Sequence, residues 1–265
     1  MQFKRLSDPH ARELQTRLRS LKGAYAGQRA IVMGNGPSLN KMDLSLFRDE
    51  YVWGSNRCDL LFDRVDWRPS FYVSVDATVV PDIAPIITQL IHDLPQTRFF
   101  FPLHFRVDDV LRSADNVYWY FERGDRKQVP DDAFTTDASE WVARPNTVTI
   151  AAMQLAAYLG FNPIYLIGCD TSYRVPDTVQ VVKEAEGYTT DYMSTEDDDP
   201  NHFDPRYFGK GRKWRDPNVE GMIEHYTYAK AICDRMGVQV YNATVGGNLE
   251  VFPRVDYRSL FDEAD

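Results

Sequence analysis

Residues 147–170 read TVTIAAMQLAAYLGFNPIYLIGCD, and this stretch decides the fold. Its first half predicts a helix of small and apolar residues that Gly160 ends, because glycine readily adopts the left-handed conformation found after helices. Four apolar residues, 164–167, then predict a buried strand that ends in Gly168 and Asp170. A helix that leads into a buried strand is half of a parallel βαβ unit.

The same pattern occurs on both sides of this stretch. Residues 219–236 predict a second helix, ended by Gly237, before a strand at 238–241. Upstream, an amphipathic helix is expected within 8–22, with its cap near Ser7 or Asp8, and another helix at 83–94. Strands are predicted at 30–33, 51–53, 71–75, 98–101 and 117–120. This alternation predicts an α/β fold with a doubly wound, mostly parallel Rossmann-like sheet, which binds ligands beyond the carboxyl ends of its strands.

One domain is expected. We assign 1–265 to a single nucleotide-binding α/β domain in which 1–27 hold the N-terminal helix. Residues 171–218 show little regular periodicity, and they combine an acidic run at 196–199 with basic and aromatic residues. Long irregular segments in compact domains are usually lids or binding loops, so we predict that 171–218 form a long lid insertion.

The composition narrows the function classes. Thirty Lys and Arg against 39 Asp and Glu give a net charge of −9, which argues against nucleic acid as a partner. Three distant cysteines support neither a disulfide framework nor a zinc site, and a reducing cytoplasm fits them best. No stretch is long and apolar enough to span a membrane, so at most peripheral membrane association is expected. The sequence leaves open whether the protein forms a homo-oligomer.

The segment GNGPS directly follows the first predicted strand. Its glycines let the backbone approach a ligand, and free N–H groups can meet a phosphate. It lacks the third glycine of a dinucleotide fingerprint and the lysine of a P-loop, and an ordinary strand-ending turn is the alternative. The amide of the asparagine favours a nucleotide contact for Gly34, Asn35, Gly36, Pro37 and Ser38.

Polar residues follow three further strands. Asn56, Asp76 and Asp170 could each form a turn alone. Together with Asn35, however, they place four polar side chains at one edge of the sheet, which favours a binding crevice. Thr147 and Thr149 open the central helix at the same edge, and their hydroxyls could either cap the helix or meet a phosphate or ribose.

His202 is the histidine that lies among convergent polar and aromatic residues. The other four, His10, His92, His104 and His225, are interpreted as structural. Because imidazole titrates near neutrality, His202 is suited to accept a hydroxyl proton. The predicted catalytic residues are His202, Tyr207, Lys210 and Arg212, and the predicted substrate-binding residues are Asp76, Tyr173 and Arg206. Tyr207 and the basic cluster of Arg206, Lys210 and Arg212 are expected to stabilise a departing phosphate, and the alternative for the cluster is a solvated surface run that balances 196–199. No metal site is predicted, although the run at 197–199 could hold Mg²⁺ weakly.

These motifs resemble two related families. GNGPSL at 34–39, Asn56 and the 147–170 unit are similar to the small bacterial CMP-sialic acid-dependent sialyltransferases. They are also similar to the 6-hydroxymethylpterin diphosphokinase (MptE)-like proteins, which include archaeal pterin enzymes and bacterial proteins of glycan loci. The segment NATVGGNLEVFPR at 242–254 looks more like the second group. The resemblance covers about 28–255.

The resemblance to the sialyltransferases implies roles for particular residues. It implies nucleotide contacts for Asn35, Asn56, Thr147, Thr149, Gly168 and Asp170. The sialyltransferase lid carries a Tyr-x-Gly-His element with the general base, and the matching stretch here is YFGK at 207–210. Lys210 stands where that base is expected, so either His202 serves from nearby or the chemistry differs.

The function expected first is metal-independent glycosyl transfer, without a cofactor. A nucleotide-activated donor, with a CMP-linked acidic sugar favoured, would react with a glycan acceptor under construction. The alternative is Mg²⁺-dependent diphosphate transfer from ATP to 6-hydroxymethylpterin or a similar alcohol, with Asp76, Asp170 and the acidic run as metal ligands. A third expectation is a non-catalytic nucleotide-binding protein of a glycan locus.

Overall fold

The computed structural model describes residues 9–124, 130–183 and 190–261. The helices are α1 (Pro9–Arg19), α2 (Val79–Asp93), α3 (His104–Val107), α4 (Val148–Leu159) and α5 (Val219–Met236). The strands are β1 (Ala30–Met33), β2 (Val52–Ser55), β3 (Phe71–Val73), β4 (Arg98–Pro102), β5 (Val117–Tyr120), β6 (Glu122–Arg123), β7 (Val142–Ala143), β8 (Ile164–Ile167), β9 (Val179–Lys183), β10 (Asp191–Ser194), β11 (Lys213–Arg215) and β12 (Val240–Asn242). The predicted cap at Ser7 or Asp8 lies outside the described residues.

Seven strands form a parallel sheet in the order β12-β8-β1-β2-β3-β4-β5. The chain builds outward from β1 to β5, and then returns to add β8 and β12 on the other side of β1. The doubly wound, mostly parallel fold predicted from the sequence is therefore confirmed. The winding direction reverses between β1 and β8, which is where folds of this type bind ligands.

The glycine signals after two helices are also confirmed. Gly160 and Gly237 follow α4 and α5 in the left-handed conformation, with φ of 96° and 71°. Both act as C-caps, since their N–H groups bond to carbonyl oxygens of the preceding turn. The bounds of β1, β5, β8 and α5 agree with the prediction to the residue.

Helix α4 is the central helix of the core. Every residue from Thr149 to Leu159 is buried, so this helix has no solvent-facing stripe. It packs against one face of the sheet, where Trp53 and Phe71 stack with ring centroids 4.4 Å apart. Helix α2 covers the opposite face with Val80, Ile83 and Ile87. Burial on both faces fixes the ends of the central strands rigidly.

The segment 171–218 contains regular structure that the sequence did not reveal. Strands β11, β10 and β9 form an antiparallel sheet in that order, and the loop between β10 and β11 carries His202. Low periodicity in the sequence thus did not exclude strands in the described part of this segment. Within the ranges described, no helix is both long and apolar enough to cross a membrane.

Candidate functional site

The site begins where β1 and β8 end side by side. Gly34 follows β1 and donates its N–H to Ile167 O at 2.8 Å, and Gly36 donates to Gly168 O at 2.9 Å. A Cβ atom at Gly34 would lie 2.4 Å from Gly168 O, closer than real contacts allow. Glycine is thus required here by the close approach of two backbones, as the GNGPS motif suggested.

Asp170 occupies the floor of this crevice. Its carboxylate accepts hydrogen bonds from the Ser38 hydroxyl at 2.6 Å and from the Ser38 N–H at 3.2 Å. Burial nevertheless raises the pKa of Asp170 above its ordinary value, because desolvation penalises the charged form. A Cβ at Gly36 would lie 1.9 Å from Asp170 Oδ2, so the two positions are matched in shape.

Two asparagines follow β1 and β2 at the same edge. Asn35 donates from Nδ2 to Ser55 Oγ at 2.8 Å, and its buried Oδ1 has no hydrogen-bond partner among the described residues. Asn56 adopts a left-handed φ of 47°, and its Oδ1 accepts from Ser74 Oγ at 2.6 Å. Burial raises the pKa of the nearby Tyr207 hydroxyl, and the Asn56 side chain partly offsets this. The Asn56 amide thus faces both Ser74 and Tyr207.

A cavity of about 740 Å³ opens above these strand ends, which is within the range of small-molecule sites. It lies between the sheet edge and the 171–218 segment. The sequence-predicted residues that line it are Gly34, Asn35, Gly36, Asn56, Asp76, Thr147, Thr149, Gly168, Asp170, Tyr173, His202 and Tyr207. One cavity thus brings together twelve of the predicted positions.

Hydroxyl groups mark the start of α4 in the cavity wall. Thr147 is the N-cap residue by backbone conformation, yet its side chain makes no capping bond. Its Oγ1 lies 3.1 Å from Thr149 Oγ1, which in turn hydrogen-bonds to the Tyr226 hydroxyl. The capping alternative for Thr147 is therefore wrong, and its hydroxyl lies at the cavity surface.

His202 reaches the cavity from the loop between β10 and β11. Its Nδ1 lies 2.7 Å from Asp199 Oδ2, and its ring stacks on Tyr207 with centroids 3.8 Å apart and planes within 4°. The loop is tied to the sheet edge, since Phe203 N donates to Asn35 O at 2.9 Å and Tyr207 contacts Asn56. Among the described residues nothing bonds to Nε2, so this ring nitrogen is left for a ligand.

Five predicted residues do not line the cavity. Pro37 begins a short 3-10 helix, and the Ser38 hydroxyl donates its hydrogen bond to Asp170. Arg206 binds Asp204 at 2.7 Å, Arg212 donates to Asp82 O at 3.0 Å, and Lys210 donates its backbone N–H to Asp197 at 2.8 Å. The side chains of Arg206 and Arg212 thus pair with Asp204 and with the start of α2, and none of the three residues of the basic cluster lines the cavity.

Other charged residues line the cavity in its place. Arg215 donates to Asp191 Oδ1 at 2.8 Å and to Thr78 Oγ1 at 3.1 Å, and Arg144 lies 3.4 Å from Glu122. Neither arginine was predicted from the sequence, although Arg215 belongs to the basic part of the 171–218 segment. His104, which was interpreted as structural, also lines the cavity. No local signal distinguishes Arg144 or His104 from surface residues.

The wall is rich in carboxylates: Asp76, Glu122, Asp170, Asp199, Asp216 and Glu224. Asp76 Oδ1 accepts from the N–H groups of Thr78 and Val79, so it caps the start of α2. In the described ranges no group of three or more His, Cys, Asp or Glu side chains is close enough to hold a metal ion.

Comparisons with known proteins agree with this architecture. A family model described as 6-hydroxymethylpterin diphosphokinase MptE-like matches residues 4–176, more than half of the 265 residues. The solved structure of the MAf glycosyltransferase from Magnetospirillum magneticum AMB-1 superposes with a TM-score of 0.51 at 17% identity. The match covers 94% of this chain but 38% of that one. No curated protein matches.

Proposed function

The chain belongs to the 6-hydroxymethylpterin diphosphokinase MptE-like family, and we propose that it is a glycosyltransferase. Its donor would be a nucleotide-activated sugar, with a CMP-linked acidic sugar favoured, and its acceptor a glycan under construction. The fold likeness to a protein named as a glycosyltransferase supports this choice. The sugar, the base and the acceptor are part of the proposal.

One observation carries the proposal. A histidine whose Nε2 has no partner among the described residues lies in the wall of the same cavity as the strand ends with their glycines and asparagines. Strand ends at the reversal point of such sheets are suited to a nucleotide, and His202 is suited to take a proton from a bound hydroxyl. The cavity volume accommodates both parts.

The proposed reaction is a displacement at the anomeric carbon. The acceptor oxygen forms a bond to that carbon while its proton moves to His202 Nε2. The bond between the anomeric carbon and the phosphate oxygen breaks, and the nucleotide leaves with the electron pair. Because the predicted cluster of Arg206, Lys210 and Arg212 lies elsewhere, we assign charge neutralisation of the leaving phosphate to Arg144 and Arg215.

The test has two stages. A thermal-shift screen with CMP, CDP, UDP, GDP and ATP identifies the bound nucleotide, and turnover is then measured with sugars carried on that nucleotide. His202→Gln should bind nucleotide like the parent and lower turnover roughly 10²- to 10⁴-fold, the usual worth of a positioned base. His92→Gln is the matched control, because His92 is 84% exposed and pairs with Asp93 away from the cavity. Equal turnover of the two variants would refute the assignment.

The second candidate is diphosphate transfer to 6-hydroxymethylpterin, which the family description names. The proposed Mg²⁺ ligands do not fit well, since Asp170 is bonded to Ser38 and Asp76 caps α2. The acidic run is also engaged, because Asp198 accepts from Thr178 and Asp199 from His202. Activity lost in EDTA and restored by Mg²⁺ would favour this candidate. Binding without any turnover would favour a non-catalytic nucleotide-binding protein.

A further inference from the structure

The carboxylate behind His202 is fixed by three hydrogen bonds. Asp199 Oδ2 lies 2.7 Å from His202 Nδ1 and also accepts the N–H of Phe208 at 3.1 Å. Its Oδ1 accepts the N–H of Asn201 at 2.9 Å. The side chains of Asp199 and His202 are only 4% and 8% exposed, so little water competes with this contact.

The surroundings leave the imidazole one orientation. Tyr207 lies parallel to its face, and Phe208 meets its edge with centroids 5.0 Å apart. Tyr207 lies beside Asn56, so the two rings adjoin the end of β2. Both oxygens of Asp199 already accept a backbone N–H, Oδ2 from Phe208 and Oδ1 from Asn201. Because an ionised carboxylate can only accept hydrogen bonds, Nδ1 of His202 must carry the proton in its contact with Asp199.

We infer that Asp199 is the positioning residue of the reaction: it holds His202 as the Nδ1–H tautomer, with the lone pair of Nε2 directed at the acceptor hydroxyl. This inference rests on the proposed function for its reaction and on the structure for its geometry. When Nε2 takes the hydroxyl proton, the ring becomes a cation 2.7 Å from the carboxylate, which stabilises it. The proton then leaves Nε2 for solvent after the product departs.

The neighbouring aspartates have different tasks. Asp197 accepts the backbone N–H of Lys210, and Asp198 accepts the hydroxyl of Thr178. Both are exposed, and both hold the loop rather than the imidazole. Asp198→Asn is therefore a matched control for Asp199→Asn: the same charge is removed one residue away, without contact to His202.

Asparagine at 199 cannot reproduce the carboxylate. Its single oxygen can accept either from the Asn201 N–H or from His202 and the Phe208 N–H. The NH₂ group then faces whichever of these donors the oxygen does not serve. An NH₂ group facing His202 favours the opposite tautomer, in which Nε2 carries the proton and is no longer basic. Turnover should fall roughly 10²- to 10⁴-fold for Asp199→Asn, while the KM for the donor stays near that of the parent.

The tautomer itself is measured on the free protein by long-range ¹H–¹⁵N NMR. The five histidines make assignment practical, because His202→Gln removes one signal set. We expect Nδ1–H in the parent and in Asp198→Asn, and a gain of the Nε2–H form in Asp199→Asn. This readout does not depend on knowing the substrate, and the parent spectrum alone tests the inference if Asp199→Asn fails to fold.

The outcomes separate the two proposals. Nε2–H in the parent, or a loss of turnover in Asp199→Asn no larger than in Asp198→Asn, would overturn the role of Asp199. An Nδ1–H tautomer that shifts in Asp199→Asn supports it, even if no sugar donor is turned over and the glycosyltransferase proposal falls.

Discussion

Removing the Tyr207 hydroxyl tests how this residue serves the site. From the sequence, Tyr207 is expected among the catalytic residues, with its hydroxyl on the leaving phosphate. In the structure Tyr207 is 1% exposed, its hydroxyl lies beside the Asn56 side chain, and its ring stacks on His202. Burial raises the pKa of Tyr207 well above its ordinary value, so the phenol stays neutral at working pH. Tyr207→Phe removes the hydroxyl and keeps the ring.

The upper limit of the expected cost follows from counting the polar contact between the Tyr207 hydroxyl and Asn56 as a full hydrogen bond, which the substitution removes. A buried hydrogen bond contributes about 0.5–1.5 kcal/mol net, and leaving the Asn56 amide unpaired can raise the total to about 1–3 kcal/mol. We therefore expect the free energy of unfolding to fall by about 1–2 kcal/mol. Because the stack on His202 remains, turnover at saturating donor should stay within about threefold of the parent, well below the worth of a proton-transfer group.

Urea denaturation gives the stability, and steady-state nucleotide release gives the turnover. Tyr257→Phe is the control, because Tyr257 is equally buried and its hydroxyl accepts the Asp43 N–H at 3.0 Å outside the cavity. The two variants should lose similar stability and keep similar turnover. A drop of a hundredfold or more in turnover for Tyr207→Phe alone would refute this reasoning and return the hydroxyl to the leaving group.

Two further outcomes are expected. Asn35→Ala should weaken nucleotide binding roughly 5- to 150-fold, the worth of about 1–3 kcal/mol, and isothermal titration with the best nucleotide checks this; unchanged affinity would place the nucleotide elsewhere. Asp170→Asn should remove the part of the pH dependence of the free energy of unfolding that Asp170 causes. With the folded pKa of Asp170 raised, the folded parent binds more protons than the unfolded chain, so its stability relative to the variant should fall as pH rises from about 4 through the raised pKa, and then level off. Urea titrations from pH 4 to 8 measure it, and a pH-independent difference would contradict the cause given.

The parts of the fold that depend on local signals were predictable. A buried parallel strand appears in the sequence as a short apolar run, and a glycine marks where a helix ends. The bounds of β1, β8 and α5 were therefore predicted to the residue. Knowledge that parallel strands end at one edge was enough to bring Asn35, Asn56 and Asp170 into one candidate site, whereas His202 was found by its polar and aromatic neighbours. These inferences use short stretches of sequence and one rule of topology.

The rest depended on contacts between distant residues. Strands β9 to β11 escaped detection because they are partly exposed: Val181 and Val182 are adjacent yet both about half exposed, which destroys the alternation expected of a strand. The sequence also does not show which way a charged side chain points. Arg212 and Arg215 differ by three positions in one basic run, but the first reaches Asp82 and the second lines the cavity.

The order of the strands has a consequence for how the protein is made. Ser38 and Asp170 are 132 residues apart, and Asn248 N donates to Asp170 O at 2.8 Å. Strands β1 to β5 can pair one after another as they leave the ribosome, since each joins its predecessor in the sheet. The crevice is then still missing one wall. A nascent chain that ends before residue 226 therefore has most of its sheet but lacks part of the cavity wall, so the cavity is completed only after the strands on which it is built.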